Sequence, residues 1–137
     1  MKIQISQPKK TWAIKRTFSR TFPYLKIEFF KSPHDTGEAS SAKSMIKVNK
    51  SLVEINPLLK DGIIDVQEND TVASVERRFQ DFGLPVQIFR KQNNVWLETT
   101  ATDQLTLAEQ NDKGSSASVS AHQDEPVDRY LQDGQYS

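Results

Sequence analysis

Asp35-Thr36-Gly37 offers a carboxylate that could serve acid–base hydrolysis only if a second carboxylate shared its proton. Here Ser32-Pro33-His34 precedes the triplet in place of apolar strand residues, and nothing downstream supplies a flap or second strand. The triplet therefore reads as part of a polar loop. Gly37-Glu38-Ala39-Ser40-Ser41-Ala42-Lys43-Ser44 is one residue from a phosphate-wrapping loop, with Ala42 where a glycine would let the backbone amides turn toward phosphate. The strand before it ends near Phe30, too early for such a loop, and residues 45–48 read as strand where a helix is needed. His34 and His122 are the only histidines, and neither has another at helical spacing. A metal would have to lean on carboxylates alone, so neither metal nor cofactor is expected. Cysteine is absent, which removes disulfides, thiolate metal sites and thiol nucleophiles. No nucleophile, base and orienting group converge, and the chain reads as non-enzymatic.

Two other constellations suit binding. Lys9, Arg16 and Arg20 project from one side of a helix, opposite Ile14 and Phe18, with Trp12 and Lys15 flanking them. Lys9 and Lys10 sit at the helix start, where positive charge opposes the macrodipole by about 0.3–1 kcal/mol. An anion held by free backbone amides would relieve that conflict, and Trp12 offers a ring on which a base can stack. The plainer reading is a solvated basic face with Trp12 against a neighbouring strand. The second constellation is on a sheet. If Val86, Ile88, Val95 and Leu97 face the core, Phe89 and Trp96 point the other way beside Arg90, a composition enriched at protein interfaces. The plainer reading there is that the first half of the chain covers the two rings.

The elements that must position these residues follow from hydrophobic spacing. An offset of 61 matches Ile3 with Ile64, Ile5 with Val66, Ile14 with Val75, Phe18 with Phe79, Leu25 with Val86 and Ile27 with Ile88. Each copy, about 1–31 and 62–98, reads as strand, helix, strand. Lys2-Ile3-Gln4-Ile5 and Leu25-Lys26-Ile27-Glu28-Phe29 alternate with the period of a half-buried strand. Ile14, Phe18 and Phe22 recur every four residues and predict a helix over about 10–21, ended by Pro23. Val72, Val75, Phe79 and Phe82 give the second helix, with Asp70 and Thr71 as N-cap residues and Gly83 as its left-handed terminator. Asn93-Asn94 predicts a turn into the strand Val95-Trp96-Leu97, and residues 45–48 with 52–55 predict a hairpin around Asn49-Lys50. The expected class is α+β, two repeated units packing helices on one face of a mixed sheet of β-grasp or ferredoxin-like type.

The chain has 137 residues and no net charge, yet the charge is divided. Residues 1–60 carry twelve Lys and Arg against four acids, and residues 61–137 carry six against fourteen. Such asymmetry marks a nucleic-acid surface, two mutually attracting halves, or a tail that screens the basic face. Residues 113–137 are poor in large apolar side chains, and Gly114-Ser115-Ser116-Ala117-Ser118 resembles a linker. Ordering a backbone costs about 1–2 kcal/mol per residue, so a domain over 1–112 with a disordered tail over 113–137 is expected. Within that tail Val127, Tyr130 and Leu131 have the spacing of a short partner-binding helix. No apolar run approaches the roughly 20 residues that span a bilayer. The first residues lack a signal-like apolar stretch, which points to a cytoplasmic protein without membrane contact.

The stretch Asp70-Thr71-Val72, Gly83-Leu84-Pro85, Val86-Gln87-Ile88-Phe89-Arg90 and Leu105-Thr106-Leu107-Ala108-Glu109-Gln110-Asn111 resembles ubiquitin-like β-grasp domains. The resemblance implies a helix opening on Asp-Thr, a strand after Gly-x-Pro and a Thr-Leu turn. The sequence shows no Gly-Gly carboxyl terminus, so a conjugated modifier is not expected, and the first half is a candidate source of the closing strand that does not follow Asn111. The chain as a whole is similar to small uncharacterised bacterial proteins with the Phe-Pro-x-Leu-x-Ile-Glu-Phe-Phe segment, here residues 22–30. The function expected is that of a binding or adaptor protein meeting a protein partner through Phe89, Arg90 and Trp96. The alternative is nucleic-acid binding through Lys9, Lys10, Trp12, Lys15, Arg16 and Arg20.

Overall fold

The computed structural model describes residues 1–31 and 42–124. Along the chain come β1 (Lys2–Ile5), α1 (Thr11–Thr21), β2 (Leu25–Phe29), α2 (Leu52–Ile55), β3 (Gly62–Asp65), α3 (Val72–Asp81), β4 (Val86–Gln92), β5 (Val95–Glu98) and α4 (Leu107–Asp124). The fold is α+β, but the expected single mixed sheet is corrected. β1 pairs with β3, and a separate sheet has the order β2-β4-β5, with every pairing antiparallel. The reason is that β1 and β2 take their partners from the second strand–helix–strand segment and not from each other. In those ladders Ile3 lies opposite Ile64 and Ile27 opposite Ile88, the same residues that the 61-residue offset matches.

The apolar stripes turn inward as their spacing requires. Ile14 and Phe18 of α1, and Val72, Val75 and Phe79 of α3, are buried against Leu25, Ile27, Phe29, Val86 and Ile88 in one core. Phe29 meets Phe79 edge to face at 6.1 Å, and Phe18 lies 5.4 Å from Phe22. Thr71 caps α3 by accepting the Ser74 amide at 3.1 Å. Gly83 follows with φ of 71°, a left-handed conformation that glycine adopts without penalty. A side chain there would also strike the Asn56 amide, which donates to the Phe82 carbonyl at 2.8 Å.

Two expectations change. Residues 52–55 form a helical turn where a strand was expected, because Glu54 accepts from the Ser51 amide at 3.0 Å and its hydroxyl at 2.8 Å. Those two donors, helped by nearby Lys10 and Lys50, hold the Glu54 carboxyl below its usual range. The boundary placed after residue 112 falls inside α4. That helix opens on a reciprocal Thr106–Glu109 cap, then packs Gly114 into β4 and continues to Asp124. A Cβ at Gly114 would lie 2.6 Å from the Lys91 carbonyl oxygen and 2.8 Å from Tyr24 Cβ, so the linker-like glycine permits a close helix-to-strand approach. The rest of the expected tail, 125–137 with Val127, Tyr130 and Leu131, lies outside the described residues. No helix among the described residues is long and apolar enough to cross a membrane.

Candidate functional site

The sheet β2-β4-β5 separates the residues of the expected aromatic patch. Neighbouring residues of a strand point to opposite faces, so Phe89 and Arg90 cannot share one. The register pairs Lys26 with Phe89 and Lys91 with Trp96, which puts both rings on the face that also carries Glu28 and Glu98. There the Lys26 ammonium lies over both rings, 5.3 Å from the Phe89 centroid and 4.9 Å from that of Trp96. Phe89 is buried and offers no free surface, which removes it from the expected contact set. Trp96 stays 38% exposed.

Arg90 is on the other face. Its guanidinium donates to Gln110 at 2.7 Å and Gln92 at 3.0 Å, fastening α4 to the hairpin. Asn111 extends that seam by accepting the Tyr24 amide at 2.9 Å. Arg90 is therefore a packing residue. The β4–β5 hairpin turns on Asn93 and Asn94, both with positive φ, the two-residue turn that matches strand twist. In such a hairpin Gln92 and Val95 form the closing hydrogen-bonded pair, and Arg90 with Leu97 the next. Consistent with this alternation, the Lys91 amide points the other way and donates to Tyr24 at 2.8 Å. The peptide groups of Trp96 and Glu98 thus face away from β4. β5 is the outermost strand of its sheet, and Val95, Trp96 and Leu97 are all exposed, so Val95 and Leu97 lie beyond the core they were expected to join.

On α1, Trp12, Arg16 and Arg20 stand four residues apart on the exposed side, with Trp12 47% exposed. Lys15 does not join them: it donates to Glu28 at 2.7 Å, and Lys26 reaches the other oxygen at 3.1 Å. Nor are the first amides of the helix free. Thr11 donates to the Lys50 carbonyl at 2.8 Å and Trp12 to the Asn49 side chain at 3.1 Å. The expected anion cradle at the helix start is thereby corrected, since the 49–51 segment already satisfies it. The same contact brings Lys50 beside Lys9 and Lys10, through Leu52 donating to the Lys9 carbonyl at 2.8 Å. Sequence spacing alone does not predict this neighbour, because it joins segments about 40 residues apart.

A cleft of about 330 Å³ runs beside β3 and α3, lined by Asp65, Asp70, Arg78, Asp81 and Phe82 among others. Arg78 fills both oxygens of Asp70, at 2.6 and 3.0 Å, and also donates to the Asp65 carbonyl at 2.8 Å. The guanidinium holds the Asp70 carboxyl below its ordinary range, and Asp70 in turn raises Arg78. This is a clamp between a strand end and a helix. Among the described residues no three His, Cys, Asp or Glu side chains gather as metal ligands. The triplet at 35–37, His34 and the first part of the glycine-led run lie outside the described residues, and His122 falls near the end of α4. Comparison with protein-family models, with curated proteins and with solved structures returned no match.

Proposed function

We propose that the chain is a non-enzymatic binding or adaptor protein that takes an extended segment of a protein partner along the outer edge of β5. The observation that carries this reading is the outward row of Trp96 and Glu98 peptide groups beside three exposed apolar side chains. Of the devices that blunt sheet edges β5 has short length and the charge of Glu98, but no lysine, proline or bulge among Val95, Trp96 and Leu97. An added strand would gain main-chain hydrogen bonds at Trp96 and Glu98. Its alternate side chains would meet Val95 and Leu97 on one face and the Trp96 ring on the other.

Selection from a displayed library of random peptides tests this. Peptides with alternating apolar residues should be enriched and should lose binding to the Trp96→Ala protein. They should also lose binding to Glu98→Pro, which removes an outward donor and leaves the ladder with β4 intact. Enriched peptides that bind Glu98→Pro as well as the unaltered chain would rule out strand addition at this edge.

A further inference from the structure

We infer that the exposed face of α1 binds single-stranded nucleic acid, through residues none of which belongs to β5. Trp12, Arg16 and Arg20 advance along the helix in steps of about 6 Å, comparable with the spacing of neighbouring phosphates in an extended strand. Lys9 precedes them, and the 49–51 segment docked on the first turn adds Lys50, with Lys47 just before it and exposed. Among the described residues none of Lys9, Arg16, Arg20 and Lys47 has a carboxylate oxygen within 4 Å.

Among the described residues neither Glu28 nor Glu54 pairs with Lys9, Arg16, Arg20 or Lys47. Glu28 is committed to Lys15 and Lys26, and Glu54 to Ser51, from where it acts on Lys10 and Lys50 without a close ion pair. Asp35 and Glu38 lie outside the described residues. Cations alone would suit any polyanion. The exposed Trp12 ring among them favours one that presents flat bases, because stacking on an aromatic side chain is open to every base of an unpaired strand.

The test is fluorescence anisotropy of labelled oligo-dT and oligo-U with the full chain at about 50 and 200 mM salt. Counterion release gives a slope of about −0.7 per phosphate contact for single strands. Counting only Lys9, Arg16, Arg20 and Lys47, because Glu54 acts on Lys10 and Lys50, four contacts predict a roughly 50-fold loss of affinity between the two salts. The Arg16→Ala/Arg20→Ala protein should lose only about sevenfold over the same range, from a weaker starting point. Trp12→Ala should weaken binding about tenfold or more, while Trp96→Ala should not change it. Circular dichroism confirms that each variant is folded; all three sites are exposed, so unfolding is not expected. Absence of binding at 50 mM salt would overturn the inference. So would unchanged binding in the double variant, or equal binding of poly-glutamate or of vesicles containing phosphatidylserine. Failure here leaves the β5 reading intact, because peptide selection there does not involve α1.

Discussion

Gly114→Ala separates a packed helix from a solvated one by the sign of a single number. At an open helical position alanine stabilises relative to glycine by about 1 kcal/mol. In this fold the new methyl would lie 2.6 Å from the Lys91 carbonyl oxygen and 2.8 Å from Tyr24 Cβ, with Arg90 Cγ at 3.3 Å. The first two are parts of the hairpin and of the turn into β2, not the ends of flexible side chains, so either α4 or the strands must move. Overpacking costs about 1–3 kcal/mol, and two approaches under 3 Å to a backbone oxygen and a Cβ put this one in the upper part, about 2–3 kcal/mol, which after subtracting the helical gain leaves a net loss of about 1–2 kcal/mol. With a urea dependence of roughly 2 kcal/mol per molar, the middle of the usual range, the unfolding midpoint should fall by about 0.5–1 M. Ser116→Ala, on an exposed site of the same helix, should be neutral or slightly stabilising. A Gly114→Ala midpoint equal to or above that of the unaltered protein would refute the docking of α4 on β4. Loss of amide protection confined to α4 would instead show that the helix leaves before the rest unfolds.

The remaining expectations concern caps and the Asp70–Arg78 clamp. Thr71→Ala removes the acceptor for the Ser74 amide and should cost about 1 kcal/mol in thermal or urea unfolding, with Thr71→Asp restoring most of it. Gly83→Ala forces a side chain onto positive φ and against Asn56, and should cost more than about 1 kcal/mol. The Asp70 carboxyl is depressed in the folded state by Arg78, so its contribution is present above its ordinary 3.8 and is lost as pH falls through the lowered value. Asp70→Asn should therefore lower stability at neutral pH by about 1 kcal/mol, allowing for solvent screening, and flatten the acid limb of the stability curve. An unchanged acid limb in that variant would remove Arg78 as the cause.

Most elements were legible because their side chains repeat with a period. Ile14 and Phe18, Val75 and Phe79, and Ile3 and Ile5 of the alternating β1 are buried as their spacing requires, whereas β2 is covered on both faces, with Glu28 buried between Ile27 and Phe29. What failed had no period to read. α2 is one turn long, and its signal was a cap, Ser51 with Glu54, and not a stripe. α4 announces itself through Thr106 and Glu109 but packs through Gly114, where the absence of a side chain is the contact. The aromatic patch failed for a reason that the sequence did contain, since Phe89 and Arg90 are adjacent in a strand and must diverge. Burial of Phe89 was not legible, because alternation assigns a face and does not say what lies over it. The satisfied amides of α1 depend on residues 49 and 50, a contact that no local pattern signals.

The uneven charge of the two halves admits a stricter reading once the ion pairs are placed. If the halves were held together by opposite charge, their pairs would cross between them. Among the described residues Lys15 and Lys26 pair with Glu28 inside the first half, and Arg78 pairs with Asp70 inside the second. Lys2 with Asp65 does cross, at 3.7 Å between side chains that are 72% and 49% exposed, where such a pair contributes about 1 kcal/mol or less. The halves are joined instead by the β1–β3 and β2–β4 ladders and by the apolar core between α1 and α3. Those contacts do not consume cations. Among the described residues Arg16 and Arg20 face outward beside Trp12 with no carboxylate oxygen within 4 Å, so on the inference that α1 binds a polyanionic strand these two cations would be paired with little desolvation of existing ion pairs.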